Sequence, residues 1–243
     1  MNPENEQTFL LNDLLRNRID RSNGWIPFDL FFNTVMYEPG LGYYSSGSYK
    51  IGEGGDYTTA PEISKYFSKS IANQTMRLLD MHDSPSVIEI GAGKGTFAFE
   101  YLKALRETKT EIEHYYILEI SADLRDRQMQ LISGLPEDLR NKVTWLESLD
   151  IEPIDGIVLA NEVIDALPFK RFCIENKQVY ELGVTYSDGA FKVSKKESSK
   201  KLRDQVEAIS VEIERKIEDG FTSEIRLDFH KWFRSISSLI RKG

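Results

Sequence analysis

The stretch Val87-Ile-Glu-Ile-Gly91-Ala-Gly93-Lys-Gly95-Thr96 decides how this chain is read. A short β-branched run carrying Glu89 is followed by three glycines within five residues, and then by Phe97, Tyr101 and Leu105 at helical spacing. Strand, glycine turn and helix in that order is how an α/β sheet makes a crevice for an adenosine-type ligand at the carboxyl end of a strand. Glycine is the residue for such a turn because it lets the backbone bend sharply and approach a ligand that a Cβ would displace. Spacing separates the ligand classes. A dinucleotide fingerprint puts its third glycine three places after the second, to seat a helix under a pyrophosphate. Here Gly95 follows Gly93 by two.

Beyond this turn, strand and helix patterns alternate, which is the mark of a parallel sheet. The first strand is 86–90, with its helix at 95–107. A second strand, Tyr115–Glu119, precedes a helix that Ser121 can cap and Gly134 can end. Val143–Leu146 is the third strand and Gly156–Ala160 the fourth. Arg171–Glu175 and a hairpin, 179–186 with 190–193, turn at Ser187-Asp188-Gly189. A charged helix with Leu202, Val206, Ile209 and Ile213 on one stripe follows, stopped by Gly220. The last helix, capped by Asp228, carries Phe229, Trp232, Phe233, Ile236 and Ile240 and ends in Arg241-Lys242-Gly243. No fifth strand follows it, so the α/β domain reads as C-terminally incomplete, its fourth strand an apolar edge unless 170–193 covers it.

Upstream, residues 8–80 read as helices joined by an aromatic, glycine-rich segment. Phe9, Leu10, Leu14, Leu15 and Ile19 fall at helical spacing. Pro27 suits a helix first turn before Phe28, Phe31, Phe32 and Val35, and a further helix occupies 62–80. Tyr37–Tyr44 and Gly55–Glu62 have the composition of a mobile lid over a flat ligand, or equally of a structural turn cluster. The expected organisation is an N-terminal helical cap over 1–82 and a doubly covered parallel-sheet domain over 83–243, with a hairpin and helix inserted at about 170–220.

The 243 residues suffice for a sizeable core, and 40% hydrophobic with 29% charged content is that of a globular protein. A net charge of -8 argues against nucleic acid as a partner, because phosphate binding wants a basic face. Cys173 is the single cysteine, so no internal disulfide can form and a reducing compartment is expected. His82, His114 and His230 show no ligand spacing, so no metal site is expected. No apolar run reaches membrane-spanning length. The acidic N-terminus shows neither a signal h-region nor an Arg-rich transit pattern, giving an expected cytoplasmic location.

Glu119 closes the second strand about thirty residues after Glu89, where an acid can accept both hydroxyls of a ribose. Glu147-Ser148-Leu149-Asp150 could flank an adenine, or be a solvated loop. The fourth strand runs into Asn161-Glu162-Val163-Ile164-Asp165-Ala166-Leu167-Pro168. If a helix starts there, Glu162 and Asp165 share a face and can fork a guanidinium or hold an ammonium. The alternative is helix capping by acids in a first turn.

The glycine pattern resembles the first motif of class I S-adenosylmethionine (SAM) methyltransferases. With Phe28-Asp-Leu-Phe-Phe, Tyr37–Tyr44, Gly55–Ser64, Leu118-Glu-Ile-Ser121, Ala160–Phe169 and the closing Trp-bearing helix, nearly the whole chain resembles the MidA-like family of SAM-dependent methyltransferases. That family includes a mitochondrial complex I assembly factor that methylates an arginine. The resemblance implies a Rossmann-like fold and SAM as cofactor, held by Glu89, Gly91, Gly93, Gly95 and Glu119, with Asn161 and Glu162 near its methionine end. It implies a protein substrate, a respiratory complex I subunit among the candidates, and leaves a homodimer open. Glu162 and Asp165 are the candidates for orienting and deprotonating an arginine, with Asp56 and Glu62 as outsiders. A non-catalytic assembly module keeping the SAM pocket is the second reading. A nicotinamide-dependent oxidoreductase is the third, and conflicts with the glycine spacing.

Overall fold

The computed structural model describes residues 3–45, 58–214 and 217–243. In chain order the first elements are α1 (Pro3–Arg21), β1 (Ile26–Pro27), α2 (Phe28–Tyr37), α3 (Ala60–Ile63) and α4 (Lys65–Leu79). Next come β2 (Ser86–Ile90), α5 (Thr96–Thr108), β3 (Tyr115–Leu118), α6 (Ala122–Ile132), α7 (Glu137–Arg140), β4 (Val143–Leu146) and β5 (Ile154–Leu159). The chain closes with β6 (Lys170–Glu175), β7 (Gln178–Ser187), β8 (Ala190–Glu197), α8 (Lys200–Glu212), β9 (Thr222–Ile225), α9 (Phe229–Ser237) and β10 (Ile240–Lys242).

These elements form two compact units, Met1–Ser46 with Leu167–Phe229, and Gly47–Ala166 with His230–Gly243. The second holds a parallel sheet in the order β10-β5-β2-β3-β4. From β2 the chain steps outward to β3 and β4, then returns to lay β5 on the other side of β2. That reversal is a switch point, where the strand ends part to leave a crevice. All five residues of β2 are buried because both faces of the sheet are covered. Val87 joins Ala98, Tyr101 and Leu102 of α5 and Ala72 and Leu79 of α4 in one core. Ile88 and Ile90, on the opposite face, pack with Trp232 and Ile236 of α9 and with Leu239.

At Gly156, whose φ is 142°, an added Cβ would lie 1.9 Å from the Ser86 carbonyl oxygen of the neighbouring strand. Both the dihedral and the space demand glycine.

The first unit is an antiparallel sheet. β7 takes β8 along one edge, and β6 followed by β1 along the other. β6 also pairs with β9, a strand that the sequence pattern did not show. Its residues alternate without an apolar run, and it exists because β6 offers it a ladder. Leu15, Ile19, Ile26 and Val184 form the core on one face, and Phe172, Ile174, Leu202 and Val206 on the other. The hairpin turns at Asp188 and Gly189, both with positive φ (53° and 78°), the type I′ arrangement expected from Asp-Gly. Tyr37–Tyr44 takes its turn-cluster form: Tyr43 and Tyr44 donate backbone N–H groups to Val35 and Met36, and Tyr44 stacks on Tyr37. Gly55–Tyr57 lies outside the described residues.

Two expectations change. The cut expected at residue 82 falls inside the second unit, and the expected insertion groups with the N-terminal helices, because β1 pairs with β7. The last helix does not run to Lys242. It ends at Ser237, and Ile240–Lys242 forms a short fifth strand parallel to β5. The Ser237-Ser238 pair favours ending a helix, and the Leu239 carbonyl then accepts the Ile154 N–H at 2.8 Å. The edge of β5 is therefore partly paired.

Gly156→Ala is expected to destabilise the protein by about 3 kcal/mol or more, through overpacking together with a forbidden dihedral. Gly189→Ala, where nothing lies within 4 Å of the added Cβ, should cost only the left-handed penalty of about 1 kcal/mol. Urea unfolding of the two variants checks the order; equal losses would contradict the close strand approach.

Candidate active site

The crevice is built at the carboxyl ends of β2, β3 and β5. Past Ile90 the backbone enters the left-handed region at Gly91 (φ 68°), Gly93 (φ 56°) and Gly95 (φ 86°). A residue with a Cβ pays roughly 1–2 kcal/mol for each such conformation, so three in five positions is a turn that essentially only glycine can make. The turn is pinned from inside: Gly91 N–H donates to the Leu118 carbonyl at 3.0 Å and Gly95 N–H to that of Ala92 at 2.8 Å. A Cβ on Gly91 would come within 3.1 Å of Val163 Cγ2, and one on Gly95 within 3.2 Å of Gln128 Cγ.

Glu119, the residue after β3, presents its carboxylate beside this turn. Oε1 accepts the Ser121 N–H at 2.9 Å and Oε2 accepts from Gln128 Nε2 at 3.0 Å. Burial pushes its pKa above the ordinary value, and these hydrogen bonds pull against that. The Ile120 backbone is a third donor to this carboxylate, so of its roughly four lone-pair sites about one stays open. A carboxylate acceptor beside a backbone turn suits a hydroxyl of a sugar such as ribose.

Glu89 stands deeper. It is only 4% exposed, on the Val87 face of the sheet, and Oε2 accepts the Tyr115 hydroxyl at 2.7 Å. Burial raises its pKa to about 7, against the Tyr115 hydrogen bond and with a smaller push from Glu119. It lies in the wall beneath the glycine turn, with its carboxylate turned to Tyr115.

Beyond β5, Asn161 is half-buried and Glu162 and Asp165 are exposed. The helix that would have placed the two acids on one face is replaced by a bend and a single 3-10 turn, Ile164–Ala166. Glu162 takes a left-handed φ of 52°, and Pro168 disfavours helix in the residue before it. The first-turn capping alternative falls with the helix. Val163 Cγ2 stands 3.1 Å from where a Gly91 Cβ would lie, so this segment borders the crevice all the same.

Of the outsiders, Glu62 is paired with Lys94 of the glycine turn at 3.3 Å, and Asp56 lies outside the described residues. Glu147 is exposed and bonded to Arg125 at 2.6 Å. Sequence reasoning missed Gln128, which is fully buried and bonds Gly93, Glu119 and Trp145. Its signal was an amide on the buried stripe of α6 that also holds Ile132. Among the described residues no cluster of three or more His, Cys, Asp or Glu could hold a metal ion. No described helix is long and apolar enough to cross a membrane.

An open parallel sheet with a glycine turn at its switch point, and an acid closing the neighbouring strand, is the architecture of the Rossmann-like SAM methyltransferases. Residues 70–243 match the model of a family of S-adenosyl-L-methionine-dependent methyltransferases, and the chain belongs to that family. It is 31% identical to the mitochondrial protein arginine methyltransferase NDUFAF7 homolog of Drosophila melanogaster, over 71% of this chain and 45% of that protein. With the human mitochondrial protein arginine methyltransferase NDUFAF7 it shares 23% identity, over 70% of this chain and 43% of the relative. A crystal structure of a COG1565 superfamily member from Burkholderia thailandensis, bound to S-adenosyl-homocysteine, superimposes with a TM-score of 0.90 at 31% identity. That match covers 100% of this chain and 62% of the other. The chain thus spans less than half the length of these curated relatives. The expected cytoplasmic location is corrected: these curated relatives carry mitochondrial names, and the residues at the start of this chain do not decide the compartment.

The buried acid makes a pH prediction. Below the unfolded pKa of 4.5 Glu89 is protonated in both states; between 4.5 and about 7 the folded state alone keeps the proton. Stability from this group is therefore fully present at low pH and is lost as pH rises through about 7, by on the order of 3 kcal/mol. Glu89→Gln should match the parent at about pH 4 and exceed it at about pH 8 in urea unfolding. A variant less stable than the parent at the higher pH would contradict the burial account.

Proposed function

We propose that this chain binds SAM in the crevice at the ends of β2, β3 and β5 and transfers its methyl group to a nitrogen of a protein side chain, arginine being the favoured acceptor. The observation that carries the reading is the conjunction of the three-glycine turn with the buried Glu119 carboxylate held beside it. The turn gives a ligand backbone-close access at the switch point, and Glu119 offers what its sugar needs. Gly91, Gly93 and Gly95 line the approach, and Asn161 and Glu162 stand at its far side. No side chain caps the start of α5, and a carboxylate such as that of a methionine tail suits that end of a helix. The arginine assignment is supported by the names of the relatives in Drosophila and human. A respiratory complex I subunit as substrate is supported by the MidA-like resemblance.

When bound, SAM supplies an electrophilic sulfonium methyl, which a nitrogen displaces in line. The chain's own task is alignment and charge. A guanidinium is protonated at neutral pH and is a poor nucleophile. In this reading Glu162 orients it and takes its proton, with Asp165 as second candidate one short turn further on. Left-handed backbone in a residue with a side chain costs on the order of 1–3 kcal/mol, and such conformations concentrate at functional sites. The exposure of both acids suits an acceptor that is itself a protein side chain. That same exposure also suits the alternative of a non-catalytic assembly module that retains the pocket.

The test is methyl-labelled SAM with arginine-bearing protein substrates, alongside calorimetric titration of S-adenosyl-homocysteine. Glu119→Gln should weaken binding about tenfold to a hundredfold. Glu162→Gln should leave binding unchanged and slow transfer about a hundredfold or more. Binding without transfer to any protein would replace the enzyme by the module, and absence of binding would end both readings.

A further inference from the structure

Gln128 has more to do than fill α6. The residue is fully buried, and its amide has three partners of fixed character. The Trp145 indole can only donate, and Nε1 meets Gln128 Oε1 at 2.9 Å. The Gly93 carbonyl can only accept, and lies 2.8 Å from Gln128 Nε2. The Glu119 carboxylate, acceptor-only when ionised, lies 3.0 Å from the same nitrogen. One orientation of the amide satisfies this set, and the opposite one would set oxygen against two acceptors and the NH2 against a donor. Both N–H groups and one of the two carbonyl lone pairs are used, so the amide is locked in this orientation. The carbon chain of Gln128 also lies 3.2–3.4 Å from where a Gly95 Cβ would stand.

We propose that Gln128 is the positioning residue of the cofactor site, setting the Glu119 carboxylate and the glycine turn in one fixed relation so that ribose hydroxyls and the rest of the ligand are read together. The argument rests on the SAM reading of the crevice. It follows from which atoms the amide occupies. By holding one lone pair of Glu119 Oε2, with the Ser121 N–H on Oε1, it fixes the carboxylate plane and with it the acceptor left for the sugar. By holding the Gly93 carbonyl it keeps an acceptor away from the ligand, whose sugar hydroxyls could otherwise pair with it in a competing pose. Trp145, on β4, acts through the amide by dictating which end faces which partner. Gln128 touches no reacting atom, and its effect is on the choice of ligand.

Selectivity for the ribose separates this role from ordinary core packing. The experiment measures the affinities of the full chain for S-adenosyl-homocysteine and for its 2′-deoxyribose analogue, in the parent protein and in Gln128→Met, which keeps the volume and removes the amide. The parent should favour the ribose compound at least tenfold, because a site built to pair with a hydroxyl penalises its absence. Gln128→Met should lose most of that preference, and Trp145→Phe, which frees the amide to turn, should lose part of it. A core residue that merely supports the fold would weaken both ligands by the same factor, and an unchanged ratio in a folded Gln128→Met overturns the proposal. If Gln128→Met does not fold, the Trp145→Phe ratio decides in the same way. A parent protein that binds neither compound removes the cofactor reading itself, a result distinct from an unchanged ratio.

Discussion

A Cβ at Gly95 would have to sit at φ 86° and 3.2 Å from Gln128, and one at Gly91 at φ 68° and 3.1 Å from Val163. The turn between β2 and α5 therefore needs bare backbone at these positions, and the arrangement around it follows. α6 lies against it through Gln128, and Val163, after β5, stands where a Gly91 side chain would have to go. β2 can then hold the middle of a parallel sheet with its end open. Remove that freedom and the strand, the helix and the flanking acids lose their common reference point.

Around this turn the sheet carries more negative charge than burial favours. Glu89 is raised to about 7 and Glu119 is raised as well, each chiefly by desolvation, and each acid lies within electrostatic reach of the other. Hydrogen bonds from Tyr115, Ser121 and Gln128 offset part of the cost. A cationic ligand would offset more, because an opposite charge favours the ionised form of both. Uncompensated acids in the wall of a crevice are a common mark of a binding site.

The parts legible in the sequence were those set by local pattern. Ser86–Ile90 and Val143–Leu146 are apolar runs bounded by turn residues, Asp188-Gly189 forces a hairpin, and Ser121 caps α6 by accepting the Leu124 N–H. The parts that escaped were set by partners distant in the chain. β9 is a strand because β6 lies beside it, and Ile240-Arg-Lys242 is a strand because β5 does, although its charged residues read as a helix ending. The 161–168 segment illustrates the limit most directly. Its two acids have helical spacing, but the left-handed Glu162 and the nearby Pro168 leave only one 3-10 turn. The three glycines and Glu119 were readable because turn chemistry is local. Gln128 was not, since its meaning lies in three partners brought together only by folding.

The central claim is that the bare turn after Ile90 is the seat of the adenosyl ligand. Amide hydrogen exchange with and without S-adenosyl-homocysteine tests it most directly. The account predicts slowed exchange confined to the 91–96 turn, the 119–121 segment after β3 and the 161–165 bend, with the antiparallel sheet unchanged. Slowed exchange elsewhere with these three segments unaffected, or no change at saturating ligand, would contradict it.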